Sequence, residues 1–140
     1  KTDFPSYAGN KFIEFIKQIN VLVCTVPYTP KTHGLLNYEL FQKLKEPTYL
    51  INVSRGNVQV EKDIVKALDK GLLSGAFLDV FEKEPLPKTS PLWDHPKVKI
   101  TPHVASLTYP KESTRQVLNC FSRLEKGLSL PNQVDRTKMY

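Results

Sequence analysis

Apolar positions along this chain alternate between a helical rhythm and a strand-like one. Phe12, Ile13, Ile16 and Ile19 share a helical face behind Asn10, a residue type that caps helices, and the unbroken run Val21-Leu22-Val23-Cys24-Thr25-Val26 reads as a strand that Pro27 stops. A Pro/Thr loop ending at Gly34 leads to a second helix over about residues 38–44, capped by Asn37, with Leu40, Phe41 and Leu44 on one side. Tyr49-Leu50-Ile51-Asn52-Val53 predicts the next strand. A helix over about residues 61–70 follows, acidic at its start, apolar at Ile64, Val65 and Leu68, and closed by Gly71.

Another strand is predicted over about residues 75–80. Residues 81–97, with Pro85, Pro87, Pro91 and Pro96, read as a long ordered loop, and Val98-Lys99-Ile100-Thr101 as a short final strand. Pro110 opens the last helix, which is expected to bury Val117, Leu118, Phe121 and Leu124 and to end near Gly127, before a polar tail. Strands that follow helices and are apolar on both faces are covered on both sides, so the predicted class is α/β, a doubly wound parallel sheet.

Composition narrows this picture little. A chain of 140 residues, 40% hydrophobic and 24% charged, has the size and make-up of one soluble domain, and no apolar run approaches the roughly 18 residues of a membrane span. The net charge of +6 comes from lysines scattered among acids, as in Glu61-Lys62-Asp63 and Glu82-Lys83-Glu84, with no basic stripe, so no nucleic-acid partner is expected. Cys24 and Cys120 have no metal-ligand spacing and read as buried free thiols; no metal is expected. The opening Lys1-Thr2-Asp3-Phe4-Pro5 lacks a secretory h-region, and a cytoplasmic location is the expectation.

The chemistry gathers at strand ends. Arg55, Glu84 and His103 each lie in a loop after a strand-like run, where open α/β sheets place their sites, and together they can hold an anion and move a proton. The six glycines form no G-x-G-x-x-G turn, and no ribose-reading acid follows one, so the chain reads as the nicotinamide-side part of a Rossmann-type domain. His33 and His95 are expected to face solvent, and Trp93 to pack the loop.

Four stretches carry a resemblance: Val26-Pro27-Tyr28-Thr29-Pro30-Lys31-Thr32-His33-Gly34-Leu35-Leu36-Asn37, Leu50-Ile51-Asn52-Val53-Ser54-Arg55-Gly56, Leu78-Asp79-Val80-Phe81-Glu82-Lys83-Glu84-Pro85 and Thr101-Pro102-His103-Val104-Ala105-Ser106. In this order they resemble the D-isomer-specific 2-hydroxyacid dehydrogenases. The ending from Gln133 to Tyr140, with Pro91-Leu92-Trp93, is most similar to the bacterial glyoxylate/hydroxypyruvate reductases.

The resemblance implies a C-terminal fragment of an NAD(P)-dependent oxidoreductase, inactive alone, with residues 1–127 belonging to the dinucleotide-binding domain and 128–140 forming a tail toward an absent substrate domain. It implies hydride transfer to a small 2-keto acid, with Arg55 anchoring the substrate, His103 as the acid and Glu84, with Glu82 as its rival, tuning the imidazole. Pro27, Thr32, Ser54, Arg55, Asp79, His103 and Ala105 would line the cofactor, Asp79 by a hydrogen bond to the nicotinamide carboxamide. The branch favours NADP, with Lys1 near the end of the ribose-reading loop, and a homodimer is implied. A cofactor-sensing binding or corepressor protein of the same fold, and a dehydrogenase for another 2-hydroxy acid, are the alternatives.

Overall fold

Four short strands, β1 (Val21–Cys24), β2 (Thr48–Asn52), β3 (Leu73–Leu78) and β4 (Val98–Ile100), pair side by side in chain order as one all-parallel sheet. The computed structural model describes residues 4–7, 9–106 and 108–137, so Lys1 and Tyr140 lie outside the described residues. Short helices α1 (Phe12–Ile16), α2 (Tyr38–Phe41) and α3 (Glu61–Asp69) precede or join the strands, and α4 (Pro110–Glu125) follows β4. The α/β class with a parallel sheet is the one predicted.

Local chemistry explains the boundaries. Asn37 caps α2 by accepting the Leu40 N–H at 3.0 Å. Gly71, at φ 73°, turns the chain out of α3 in the left-handed conformation that favours glycine. The residue before α1 is Lys11 rather than Asn10, which falls in the 3-10 turn Gly9–Lys11. β3 begins at Leu73, two residues earlier than the pattern predicts, because fully buried Leu73 pairs with Thr48 across an irregularity in the β2–β3 ladder.

The core occupies one side of the sheet. Leu22, Leu50, Ala76 and Val98 form one row across the four strands, and Cys24, Asn52, Leu78 and Ile100 form the next, facing Leu40, Phe41, Ile64 and Leu68. On the other face Val21, Val23, Tyr49 and Phe77 are about half exposed, between 46% and 53%. β1 and β2 alternate in and out, as β-geometry dictates, while β3 breaks the alternation with Gly75 and Ala76 both buried.

By its own contacts the chain groups into two compact units, Lys1–Ala105 and Ser106–Tyr140, the second of which contains α4. Within that unit Val117, Leu118, Phe121 and Leu124 of α4 are all 59% exposed or more. A unit made of one helix and an irregular tail has nothing of its own to bury an apolar stripe against.

Candidate active site

The row Cys24, Asn52, Leu78 and Ile100 puts the carboxyl ends of the four strands level, and every candidate residue leaves from that edge. Pro27 and Thr32 follow β1, Ser54 and Arg55 follow β2, Asp79 and Glu84 follow β3, and His103 and Ala105 follow β4.

Neutral groups organise the end of β2. The Asn52 side-chain oxygen accepts the backbone N–H of Ser54 at 3.0 Å and its hydroxyl at 2.8 Å, while the Asn52 amide donates to Gln59 Oε1 at 2.8 Å. Gln59 Nε2 in turn donates to the carbonyl of Val80, just beyond β3, at 3.0 Å. Both amides are buried, and pairing satisfies donors and acceptors that would otherwise be costly there. Above them Arg55 is exposed, with Nη1 donating to the Ser54 carbonyl at 2.7 Å, which leaves most of its fork open to an anion. Gly56 is required by contact: a Cβ there would sit 1.8 Å from the Phe81 carbonyl oxygen, so the two loops touch backbone to backbone.

Carboxylates organise the ends of β3 and β4. Asp79, 3% exposed, accepts the Thr101 hydroxyl at 2.5 Å and the Val104 N–H at 2.9 Å on one oxygen, and the Ala105 N–H at 2.9 Å on the other. Burial pushes its carboxyl up, but the bonds from Thr101, Ala105 and Val104 and the nearby His103 outweigh it and hold the group below its usual range. The His103 N–H also donates to the Asp79 carbonyl at 2.8 Å, and His103 adopts φ 54°, a left-handed conformation uncommon for a residue with a Cβ.

Glu84 and His103 meet directly. Glu84 Oε2 lies 2.7 Å from His103 Nδ1, and Glu84 Oε1 accepts the Phe81 N–H at 3.0 Å. Burial raises the Glu84 carboxyl, yet the imidazole and the Phe81 N–H more than compensate and hold it low. With Nδ1 engaged by a carboxylate, Nε2 is the nitrogen left to face a ligand. Beside the pair opens a cavity of about 450 Å³, lined by Phe81, Pro85, Leu86, Trp93, Ile100 and Pro102 as well as Glu84 and His103. Glu82 points elsewhere, exchanging hydrogen bonds with Glu61: each carboxylate accepts the other's backbone N–H, at 2.7 and 2.8 Å.

The structure thus brings Glu84, His103, Asp79 and Ala105 into one bonded group; among the described residues Arg55 makes no hydrogen bond or ion pair to them. Thr32 staples its own loop, its hydroxyl donating to the Pro27 carbonyl at 2.7 Å and accepting the Thr29 N–H at 2.8 Å. The Ser54 hydroxyl turns inward to Asn52, and the Ala105 N–H is taken by Asp79. Three donors on the Asp79 carboxylate leave one acceptor site, on the oxygen that binds Ala105, and that site suits the amide of a nicotinamide. The donor set therefore fits the nicotinamide end of a dinucleotide; no glycine turn for a pyrophosphate occurs in the sequence.

Two features escaped the sequence reading. Asn52 and Gln59 carry the signal of an amide inside an apolar run, which nothing in the pattern connected across strands. His95 is not solvent-facing: its side chain is 11% exposed and its Nε2 lies 3.4 Å from Asp69. His33 is exposed, as expected, and Trp93 ties the loop by donating Nε1 to the Pro87 carbonyl at 3.0 Å while half its surface stays exposed.

Residues 2–105 match the model of the D-isomer specific 2-hydroxyacid dehydrogenase, NAD binding domain. Among solved structures, the NADPH-dependent glyoxylate/hydroxypyruvate reductase of Sinorhizobium meliloti, in complex with NADP and sulfate, is 40% identical with a TM-score of 0.92 over 96% of this chain and 44% of its own. A probable 2-hydroxyacid dehydrogenase from Rhizobium etli, with NADP, HEPES and L(+)-tartaric acid, is 39% identical (TM-score 0.87, 96% of this chain, 44% of its own). A D-isomer specific 2-hydroxyacid dehydrogenase from Xanthobacter autotrophicus, with NADPH and MES, is 39% identical (TM-score 0.90, 93% of this chain, 54% of its own). The chain spans about half the length of these proteins. With level parallel strands below and a matched family model over most of its length, the chain belongs to the D-isomer specific 2-hydroxyacid dehydrogenases, in their NAD-binding domain.

Proposed function

We propose that the protein containing this chain reduces a small 2-keto acid, glyoxylate or hydroxypyruvate, to the 2-hydroxy acid, with NADPH as the preferred reductant. The observation that carries this reading is the Glu84–His103 pair, an imidazole held by a carboxylate at a level strand end with Nε2 left to face a ligand. Arg55 anchors the substrate carboxylate and polarises the ketone through its charged fork. His103 donates the Nε2 proton to the oxygen as negative charge develops there, and Glu84 fixes the ring and stabilises the imidazolium. When bound, NADPH supplies the hydride. Asp79 holds the backbone of Val104 and Ala105 beside His103 and offers its remaining acceptor site to the carboxamide. The NADP and NADPH in the Sinorhizobium, Rhizobium and Xanthobacter structures support the reductant, and the glyoxylate/hydroxypyruvate reductase activity of the first supports the substrate.

The test is NADPH consumption by the full-length protein with glyoxylate and hydroxypyruvate. Turnover is expected, faster with NADPH than NADH. His103→Ala should lower kcat by about 10²–10⁴-fold, and Arg55→Ala should raise KM for the acid as well. Tight cofactor binding with no turnover of any 2-keto acid would replace this reading with a cofactor-sensing protein.

A further inference from the structure

The Val80–Phe81 peptide is gripped from both ends. Its carbonyl accepts Gln59 Nε2 at 3.0 Å, and its N–H donates to Glu84 Oε1 at 3.0 Å. A peptide unit is planar and stiff, so its C=O and N–H cannot reorient independently. Turning the carbonyl to find a new donor swings the N–H away from the carboxylate that holds His103.

Gln59 is itself fixed. It is 2% exposed, its Oε1 accepts Asn52 Nδ2 at 2.8 Å, and a parallel bridge pairs it with Leu36. With its oxygen committed to Asn52, only its amide nitrogen can face Val80, which sets the orientation of the whole side chain. We propose that Gln59 is a positioning residue for the Glu84–His103 pair, acting through the Val80–Phe81 peptide plane. The proposal rests on the functional reading above for its consequence in catalysis, and on geometry alone for the coupling.

Replacing Gln59 by Leu keeps an apolar filler but removes both bonds, leaving the Val80 carbonyl free to turn. In the full-length protein Gln59→Leu should lower kcat at least about tenfold while KM for NADPH stays unchanged, because misplaced catalytic groups cost rate before they cost cofactor binding. In a Glu84→Ala background the same substitution should add no further loss, since its effect runs through Glu84. Equal losses in both backgrounds would mean general destabilisation and overturn the proposal.

A second readout needs no turnover. Hydrogen exchange at the Phe81 amide should accelerate in Gln59→Leu, with the Asp79 and Val98 amides, bonded to Asn52 and His95 carbonyls, unaffected. Unchanged exchange at Phe81, or equal acceleration at all three, would overturn it. Gln59→Met, unbranched and closer in length, carries the same tests if the leucine variant fails to fold. Should the parent protein turn over no 2-keto acid, the functional reading falls and exchange at Phe81 alone decides the coupling.

Discussion

The carboxyl end of β2 and the ends of β3 and β4 solve one problem with opposite chemistry. Both must hold loop backbone at a fixed level above a parallel sheet. Beyond β2 the holding groups are the neutral amides of Asn52 and Gln59, whereas beyond β3 and β4 they are the anionic side chains of Asp79 and Glu84. The neutral side carries the exposed cation Arg55; the anionic side carries the imidazole of His103. Each scaffold suits its tenant. Under the proposed function an anion buried under Arg55 would compete with a substrate carboxylate for the guanidinium, while the anion against His103 holds the ring from which the proton is donated.

The strongest way to break the comparison is at its seam, where Gly56 meets Phe81. Gly56→Ala forces the two loops apart and should cost about 3 kcal/mol or more of stability, read as a drop in the denaturation midpoint. Exchanging the chemistry across the seam is next. Asn52→Asp faces Gln59 with an anion: if Gln59 keeps its orientation its oxygen meets the carboxylate, and if it flips its oxygen meets the Val80 carbonyl. A loss of about 3 kcal/mol is expected at neutral pH. It should be recovered in part under acid, because burial raises the new carboxyl and stability is then lost as pH rises through its folded value.

The reverse exchange, Asp79→Asn, turns an NH2 toward a backbone N–H and should cost about 2 kcal/mol, by the same measurement. The smallest effect is the natural pH dependence of the anionic side. Asp79 and Glu84 are both held below their ordinary values, so their contribution is complete above about pH 4–5, where the unfolded groups ionise, and is lost as pH falls through the lower folded values. Melting temperature should therefore be flat from neutrality to about pH 5 and fall below about pH 4, with a shallower fall in Asp79→Asn.

Periodicity was enough to order the elements, because apolar runs of the two periods are local properties of the chain. The strand ends carrying Arg55, Glu84 and His103 were legible for the same reason. Glu84 and Glu82 were separable only through motif resemblance, since both sit in one charged loop; in the structure one meets His103 and the other Glu61. What stayed hidden depends on contacts across strands. The Asn52–Gln59–Val80 chain and the His95–Asp69 pair join residues that no spacing rule connects. The stripe of α4 marks another limit, because its own unit offers no second element for the apolar side to pack on. Amphipathicity states a capacity to be covered and says nothing about the cover.

Because Cys24, Asn52, Leu78 and Ile100 end their strands in register, the loops leave a common line, and each can lengthen or change residues without shifting the launch point of its neighbours. In evolutionary terms this edge is modular. Selection can retune the Pro27–Thr32 segment or the proline-rich stretch before β4 one at a time, and the joints that resist such tinkering are the few places where one loop grips another, at Gly56, Gln59 and Asp79.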